Sequence, residues 1–190
     1  MEGDDLDDHL DRVLVGGREK RKVIIVDYDP TWPERFEREK ARISSALGQT
    51  ARRIEHIGST AVPGLAAKPV VDIVLVVDDV EDEASYHPRL ERAGYVLRVR
   101  EPGHHMFRTP ELDVHVHVWP VGSAEIERHL LFRDWLRINE DDRLAYEAVK
   151  RRLAERDWED MNDYANAKGD LIADIMTRAQ AWAESSNWTP

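Results

Sequence analysis

The segment Val70–Val77 is the most apolar stretch of the chain, and Asp72 is its single polar residue. A short run of β-branched residues without polar alternation predicts a central strand that is covered on both faces. The chain must therefore place other structure on both sides of this strand. Its 190 residues, of which 42% are hydrophobic, are enough to do so within one domain.

Shorter apolar runs and turn residues predict the remaining elements. Strands are expected at 23–26, 53–57, 95–100, 105–109 and 114–118, the last three as a meander. A helix is expected to begin at a capping box of Thr31 and Glu34 and to end at Leu47, with Phe36 and Ile43 facing inward. Further helices are expected at 85–93, 123–137, 141–156 and 158–182.

Together these elements predict an α+β (mixed α/β) fold, a short mixed sheet flanked by helices with a helical C-terminal region. Residues 1–21 contain few apolar side chains and are expected to form a flexible charged tail. The α/β core is expected over 22–122, the helical region packed on it over 123–184, and a second tail over 185–190.

Charge and cysteine content exclude several classes of function. The 27 basic and 38 acidic residues give a net charge of −11, which disfavours nucleic acid and anionic membranes as partners. The absence of cysteine excludes disulfides, thiolate zinc sites and cysteine nucleophiles. The acidic start and the lack of a long apolar segment lead us to expect a soluble, cytoplasmic protein.

The first candidate site combines Gly58 and Ser59, at the end of a predicted strand, with Asp72. A glycine allows close approach of a ligand, and Ser59 and Thr60 offer hydroxyl and N–H groups to phosphate oxygens. A carboxylate in a buried strand must hold a metal, pair with a cation or lie at the edge of a cleft. The alternative is that Asp72 only caps a loop N–H or pairs with an arginine.

The second candidate site is the predicted strand at 114–118. Strand alternation places His115 and His117 on one face, together with the preceding Asp113. Two histidines at i and i+2 can present both imidazoles to one metal or one phosphate. The alternative is a polar stripe that faces solvent. His104 and His105 are expected in the preceding turn, exposed rather than ligating.

Lys168 is the third candidate, because it falls inside the apolar stripe of the last predicted helix. Its side chain must either extend to solvent or direct its ammonium at a buried anion. Lys68 and Arg108 could supply further positive charge to a cleft.

Several strings of this sequence resemble the GrpB family. They are Tyr28–Pro33, Glu55–Ile73, His115–Val118, Phe132–Arg137 and Tyr164–Lys168, within a match from about Ile24 to Ile175. The resemblance implies a nucleotidyltransferase-like fold and kinship with the module fused behind dephospho-CoA kinase in some bacteria. It also implies that Gly58 and Ser59 bind phosphate and that Asp72 is one of the paired acids of the nucleotidyltransferase superfamily. Val70 and Val74 stand where a second acid of the pair is expected.

Three hypotheses of function follow. The first is metal-assisted transfer of a nucleotidyl group from a nucleoside triphosphate to a small acceptor. In it Asp72 is catalytic and holds the metal, and phosphates are bound by Gly58, Ser59, Thr60, Lys68, Arg108 and Lys168. The second is a nucleotide-binding module without transfer chemistry, and the third is a hydrolase with a transition metal on Asp72, His115 and His117. The metal is expected to be Mg or Mn, with Zn as a further option, and the partner a small molecule or nucleotide. The oligomeric state is left open.

Overall fold

A computed structural model describes residues 9–10, 12–158 and 160–190 of the chain. Its helices are α1 (Trp32–Leu47), α2 (His87–Arg92), α3 (Ala124–Ile138), α4 (Glu140–Ala154), α5 (Met161–Asn166) and α6 (Gly169–Ser186). Its strands are β1 (Arg53–Ile57), β2 (Val71–Val77), β3 (Val96–Glu101), β4 (His104–Arg108) and β5 (Val114–Pro120). Among the described residues, no helix combines the length and apolar character needed to cross a bilayer.

The strands form one mixed sheet in the order β1-β2-β5-β4-β3. Strand β2 pairs antiparallel with β1 and parallel with β5, and β3, β4 and β5 form the predicted meander. The apolar segment is therefore a central strand, as predicted. Together with the helices on both faces, this confirms the expected mixed α/β fold with a helical C-terminal region.

Alternation along β2 divides its side chains between two cores. Val71, Ile73, Leu75 and Val77 pack with the buried face of α1, where Phe36, Ile43 and Leu47 point inward as predicted. On the other face, Val74 and Val76 pack with Ile126 and Leu130 of α3. Asp72 belongs to this second face, so the alternation places its carboxylate on the side of the C-terminal helices.

Residues 23–26 do not form the predicted strand. Within this run only Val26 pairs with another backbone segment, in an isolated bridge with Ala67 of the loop before β2. Val23 instead packs with Leu153 and Trp158 of the helical region. The apolar character of this run thus serves contact with helices rather than strand pairing.

Two helix predictions also need correction. The predicted capping box is absent, because Asp29, and not Thr31, accepts the hydrogen bonds at the start of α1, from the N–H and Oγ1 of Thr31 at 2.8 Å each. The predicted helix 158–182 is divided into α5 and α6, with Lys168 at the N-cap of α6. This break takes Lys168 out of a continuous helical stripe.

The described part of the N-terminal segment is packed against the sheet, although the sequence predicted a flexible tail over 1–21. Leu10 and Val13 are buried, and the N–H of Val15 donates to the carbonyl of Arg98 at 2.9 Å. Residues 1–8 and 11 lie outside the described residues. At the other end, Trp188 of the predicted tail 185–190 packs beside α3 and α6. A few apolar side chains are sufficient to dock both segments.

Asp142 connects three helices, and we expect its replacement to loosen the helical region. Its carboxylate accepts hydrogen bonds from Trp135 Nε1 of α3 at 2.7 Å and from Arg178 of α6 at 2.9 and 2.6 Å. Asp142→Ala should lower the free energy of unfolding by about 1.5–3 kcal/mol, the range for buried hydrogen bonds to a charged group. Denaturant unfolding measures this loss.

The matched control is Asp141→Ala, which removes an exposed carboxylate from the same first turn of α4. Both variants lose one charge near the helix N-terminus, where an acidic residue is favourable. An equal loss in the two variants would mean that the contacts of Asp142 with α3 and α6 contribute nothing.

Candidate functional site

The parallel pairing of β2 with β5 places Asp72 beside two histidines. In the register, Asp72 lies opposite His115 and Val74 lies opposite His117. Asp72 Oδ1 is 3.3 Å from His115 Nδ1 and 3.8 Å from His117 Nε2. One ligand atom from each residue lies within 4.8 Å of the other two. All three side chains are partly exposed, so these atoms can be reached by a ligand.

The environment of Asp72 favours its ionised form. Burial by itself raises the pKa of the Asp72 carboxyl, but hydrogen bonds from His115 and His117 and the charge of these rings outweigh it. The pKa of Asp72 therefore lies well below its usual range. One carboxylate and two imidazoles form a donor set that suits zinc, manganese or iron better than magnesium.

A second layer of side chains orients His117. His104 Nε2 lies 3.2 Å from His117 Nδ1, and His104 Nδ1 lies 2.6 Å from Glu101 Oε1. The His104 ring also stacks on Trp119 with 4.0 Å between centroids. Such a chain to a carboxylate fixes the ring of a histidine ligand. It leaves His117 Nε2 directed at Asp72.

Three expectations for this strand region are wrong. His104 and His105 begin β4, so the strand predicted from residue 105 is confirmed and the turn predicted for these two histidines is wrong; His105 is also fully buried against Tyr86 rather than exposed. Asp113 does not join the histidines, because it precedes β5 and its carboxylate pairs with Arg35 and accepts from Thr109.

Gly58 lies so close to Asp72 that no other residue fits. Its φ is +70°, and a Cβ placed on it would lie 2.7 Å from Asp72 Oδ2. The next residue, Ser59, lines a cavity of about 150 Å³, and Asp72 lines the same cavity. Gly58 and Ser59 thus lie beside the carboxylate, where the sequence analysis grouped them.

Three lysines line this cavity, which we call the lysine pocket: Lys68, Lys150 and Lys168. Lys150 Nζ is 3.0 Å from Ser59 Oγ and also donates to the carbonyl of Ala66. The ammonium groups of Lys68 and Lys168 lie 5.3 and 4.4 Å from the centre of the Tyr164 ring. Within the described part of the chain, no ion pair joins any of the three to a carboxylate.

Mutual repulsion and burial weaken the charge of these lysines. Burial, and then the charge of Lys168, lower the pKa of Lys150 to about 7. Burial, and then the charge of Lys68, lower the pKa of Lys168 to about 8. A group of buried cations without carboxylate partners is stabilised by any anion that enters the pocket.

Two predicted phosphate ligands are engaged elsewhere. The Thr60 hydroxyl is buried, donates to the carbonyl of Val70 and lies 2.9 Å from His56 Nε2. Arg108 pairs with Glu19 through two hydrogen bonds of 3.0 and 2.6 Å. Thr60 is therefore not positioned to bind phosphate, and Arg108 already has an anionic partner.

The sequence analysis missed Lys150, the lysine that contacts Ser59. Its signal was present in α4, where Tyr146, Lys150 and Leu153 occupy positions i, i+4 and i+7 of one buried stripe. This is the pattern that singled out Lys168. A lysine within an apolar helical stripe thus predicts a position on the inner face of the helical region, for Lys150 as for Lys168.

The sequence of this chain matches the GrpB protein family over residues 22–178. The chain belongs to the GrpB family. A UPF0157 protein of Streptomyces coelicolor is 54% identical over 168 residues, which cover 88% of this chain and 90% of the relative. The crystal structure of the GrpB protein from Enterococcus faecalis has a TM-score of 0.74 and 33% identity, and the match covers 84% of this chain and 99% of that one.

The predicted kinship with dephospho-CoA kinases is confirmed as well. The kinase of Mycolicibacterium paratuberculosis is 34% identical over 197 residues, covering 88% of this chain but only 48% of the kinase. The part of the kinase that resembles this chain is therefore about half of its length. The name dephospho-CoA kinase describes that whole protein.

Gly58→Ala should destabilise the protein more than the same change at Gly64. Both glycines have a positive φ, but the combination at Gly58, with φ +70° and ψ −171°, is essentially restricted to glycine and costs alanine about 1–3 kcal/mol, whereas a Cβ at Gly64 would meet nothing within 4 Å. At Gly58 the collision with Asp72 adds to this cost, and we expect a total of about 2–3 kcal/mol. Thermal or denaturant unfolding of both variants gives the difference.

The origin of the excess can be tested in an Asp72→Ala background. In this background the excess of Gly58→Ala over Gly64→Ala should be smaller, because the carboxylate no longer collides with the new Cβ. An excess of unchanged size would show that the backbone conformation of Gly58, and not its closeness to the Asp72 carboxylate, excludes a side chain.

Proposed function

We propose that this chain is a metal-dependent nucleotidyltransferase that acts on a small acceptor. The observation that carries the proposal is the position of Asp72, which lines the lysine pocket and also contacts His115 and His117. A phosphate group bound by the lysines would therefore lie next to a metal bound by the carboxylate and imidazoles. Nucleotidyl transfer needs both at one point.

The residues of the lysine pocket bind the phosphates of the nucleoside triphosphate. Ser59 donates its hydroxyl to a phosphate oxygen, and Lys68, Lys150 and Lys168 neutralise the negative charge. In the reaction an acceptor oxygen bonds to the α-phosphorus, the bond to the bridging oxygen of pyrophosphate breaks, and the acceptor proton passes to solvent. The lysines also stabilise the charge that develops on the leaving pyrophosphate.

Asp72, His115 and His117 are the residues that would hold a divalent metal. A metal held by these residues would supply Lewis-acid polarisation of a phosphoryl oxygen. The chain departs from the two-metal pattern of paired carboxylates, because valines occupy positions 70 and 74 and Asp113 pairs with Arg35. The donor set therefore favours manganese or zinc over magnesium.

A transition-metal hydrolase is the second candidate. It is favoured by the same group of three ligands, since catalytic zinc sites commonly use three protein ligands and leave one position open for water. In this reaction water replaces the acceptor, so the two candidates differ in their products.

The test begins with thermal unfolding in the presence of ATP, GTP, CTP or UTP, each with Mg, Mn, Zn or EDTA. A nucleotide at about 100 times its Kd should stabilise the fold by about 2.7 kcal/mol. We expect this stabilisation to require the metal and to be lost in Asp72→Asn. The matched control is Asp78→Asn, which removes an exposed carboxylate just beyond the other end of β2.

Product analysis then separates the candidates. Incubation of the stabilising nucleotide, labelled at the α-phosphate, with a small-molecule extract of bacterial cells should give a labelled acceptor and pyrophosphate. Release of free nucleoside monophosphate without the extract would favour the hydrolase. Stabilisation by a nucleotide that does not depend on metal and is retained in Asp72→Asn would favour a binding module without catalysis. No stabilisation by any nucleotide would contradict the proposal.

The lysine pocket should bind phosphates more weakly as the pH rises above about 7. Because an anionic ligand favours the charged ammonium, Lys150 and Lys168, whose pKa values are about 7 and 8, must take up protons on binding. Affinity is highest well below pH 7, where both ammonium groups are already charged before binding, and it falls as these groups lose their protons. Calorimetry with pyrophosphate in EDTA, in two buffers of different ionisation enthalpy, measures the proton uptake.

Lys150→Met should weaken pyrophosphate binding by about 10–100-fold, the effect of one charge-assisted hydrogen bond, and should reduce the proton uptake. Lys40→Met is the control, because Lys40 lies on α1 above the Phe36 ring and outside the pocket. Proton uptake that is unchanged in Lys150→Met would contradict the assignment of Lys150 to the ligand.

A further inference from the structure

A second cavity, of about 480 Å³, adjoins the lysine pocket and shares Lys68, Val70 and Asp72 with it. His115 and His117 also line this cavity, so it opens on the same three potential metal ligands. Any molecule bound in it would lie beside Asp72. Under the proposed function, this is where the acceptor of the nucleotidyl group has room.

Three arginines line this second cavity: Arg21, Arg98 and Arg108. Arg98 and Arg108 project from the neighbouring strands β3 and β4, and Arg21 comes from the N-terminal segment. Arginine presents two parallel N–H groups, a geometry that matches the oxygens of a carboxylate or a phosphate. The cavity therefore offers an oxyanion site in addition to the lysine pocket.

The carboxylate of Glu19 occupies this site. It accepts hydrogen bonds from Arg108 Nη1 at 3.0 Å and Nη2 at 2.6 Å, and it also pairs with Arg21. Arg98 Nη1 is 3.9 Å from the same carboxylate. A side chain of the protein thus makes the contacts that an anionic ligand would make.

Among the described residues that line the cavity, positive charge exceeds negative charge. The three arginines face Glu19 and Asp160, the acidic residues that line the cavity along with Asp72, and Asp72 is directed at the histidines. Burial, followed by the repulsion of Arg108, lowers the pKa of Arg98. A ligand with more negative charge than one carboxylate would neutralise this cluster better than Glu19 does.

The backbone around Glu19 allows it to leave without undocking the N-terminal segment. We call residues 16–22 the strap. It is held at one end by the bridge between Leu14 and Val99 and at the other by buried Val23. The first two residues of the strap are Gly16 and Gly17, whose φ values are +87° and +75°. Two consecutive glycines permit a change of backbone direction at low steric cost.

We propose that Arg98 and Arg108 bind an oxyanion of the acceptor, a carboxylate or a phosphate group, and that Glu19 holds this place until the acceptor displaces it. The existence of the oxyanion site rests on the arginine geometry, and its assignment to the acceptor rests on the proposed function. The strap then makes entry of the acceptor a competition with a tethered carboxylate. The acceptor is accordingly an acidic small molecule.

The test is calorimetric titration of Glu19→Gln with inorganic phosphate and, separately, with malonate, both in EDTA. Because the substitution removes the tethered competitor, we expect one additional anion to bind, with an affinity about tenfold or more above that of the same site in the wild type. Arg108→Gln in the Glu19→Gln background should abolish this gain. The tighter of the two anions identifies the acidic group of the acceptor.

Two controls keep this site distinct from the lysine pocket. Lys150→Met should remove phosphate from the lysine pocket but leave the gain produced by Glu19→Gln, so either site can fail without the other. Glu83→Gln breaks a comparable pair, between Glu83 and Arg100 of β3 at 2.8 Å, and should produce no gain.

A folded Glu19→Gln variant that binds both anions as the wild type does would overturn the proposal and leave Glu19 as a tether of the strap. A gain that persists with Arg108→Gln would overturn it too. If Glu19→Gln does not fold, Glu19→Asp keeps the charge with a shorter reach and should show an intermediate gain in affinity. The absence of any gain in Glu19→Asp would then overturn the proposal.

Discussion

The parallel pairing of β2 with β5 determines which side chains can act together in this molecule. With this register, Asp72 lies opposite His115, and alternation places His117 on the same face. The other faces of both strands are committed to the core beneath α1. A shift of β2 by one residue against β5 would turn the Asp72 carboxylate into that core and away from the two imidazoles, so the stability of the sheet and the geometry of the site depend on the same backbone hydrogen bonds.

Buried positive charge is arranged on both sides of Asp72 in a chain whose net charge is −11. Among the described residues, no carboxylate forms an ion pair with the lysines of the pocket, whereas the arginine cluster is partly neutralised by Glu19. Uncompensated buried cations reduce the stability of a fold, and they are tolerated where an anion is to be bound. Under the proposed function, the lysine pocket would take the phosphate-rich donor and the arginine cluster the acidic acceptor.

The helical region completes the site rather than merely covering the sheet. Lys150 comes from α4 and Lys168 from the junction of α5 and α6; both line the cavity beside Ser59, and Lys150 contacts the Ser59 hydroxyl. Asp142 joins α3, α4 and α6 through its contacts with Trp135 and Arg178. Family membership covers this part of the chain too, because the match with GrpB continues to residue 178.

Local pattern was sufficient to predict the strands that carry the site. The apolar run at 70–77 and the alternation at 114–118 are short-range signals, and they located Asp72, His115 and His117 correctly on strands.

The predicted strand at 23–26 was wrong because an apolar run does not reveal whether it will meet a strand or a helix. The strap could not be foreseen, since it is held by the bridge between Leu14 and Val99 and by the buried side chain of Val23. Three further residues have types and spacing that suit a site, but the structure shows that each one already has a partner. These contacts are Asp113 with Arg35, Thr60 with the carbonyl of Val70, and Arg108 with Glu19. The sequence by itself determined which strands carry Asp72, His115 and His117 and that the two histidines share one face. Only the tertiary structure decided that Lys150 joins them and that Glu19 lies among the arginines, because those contacts are made between elements far apart along the chain.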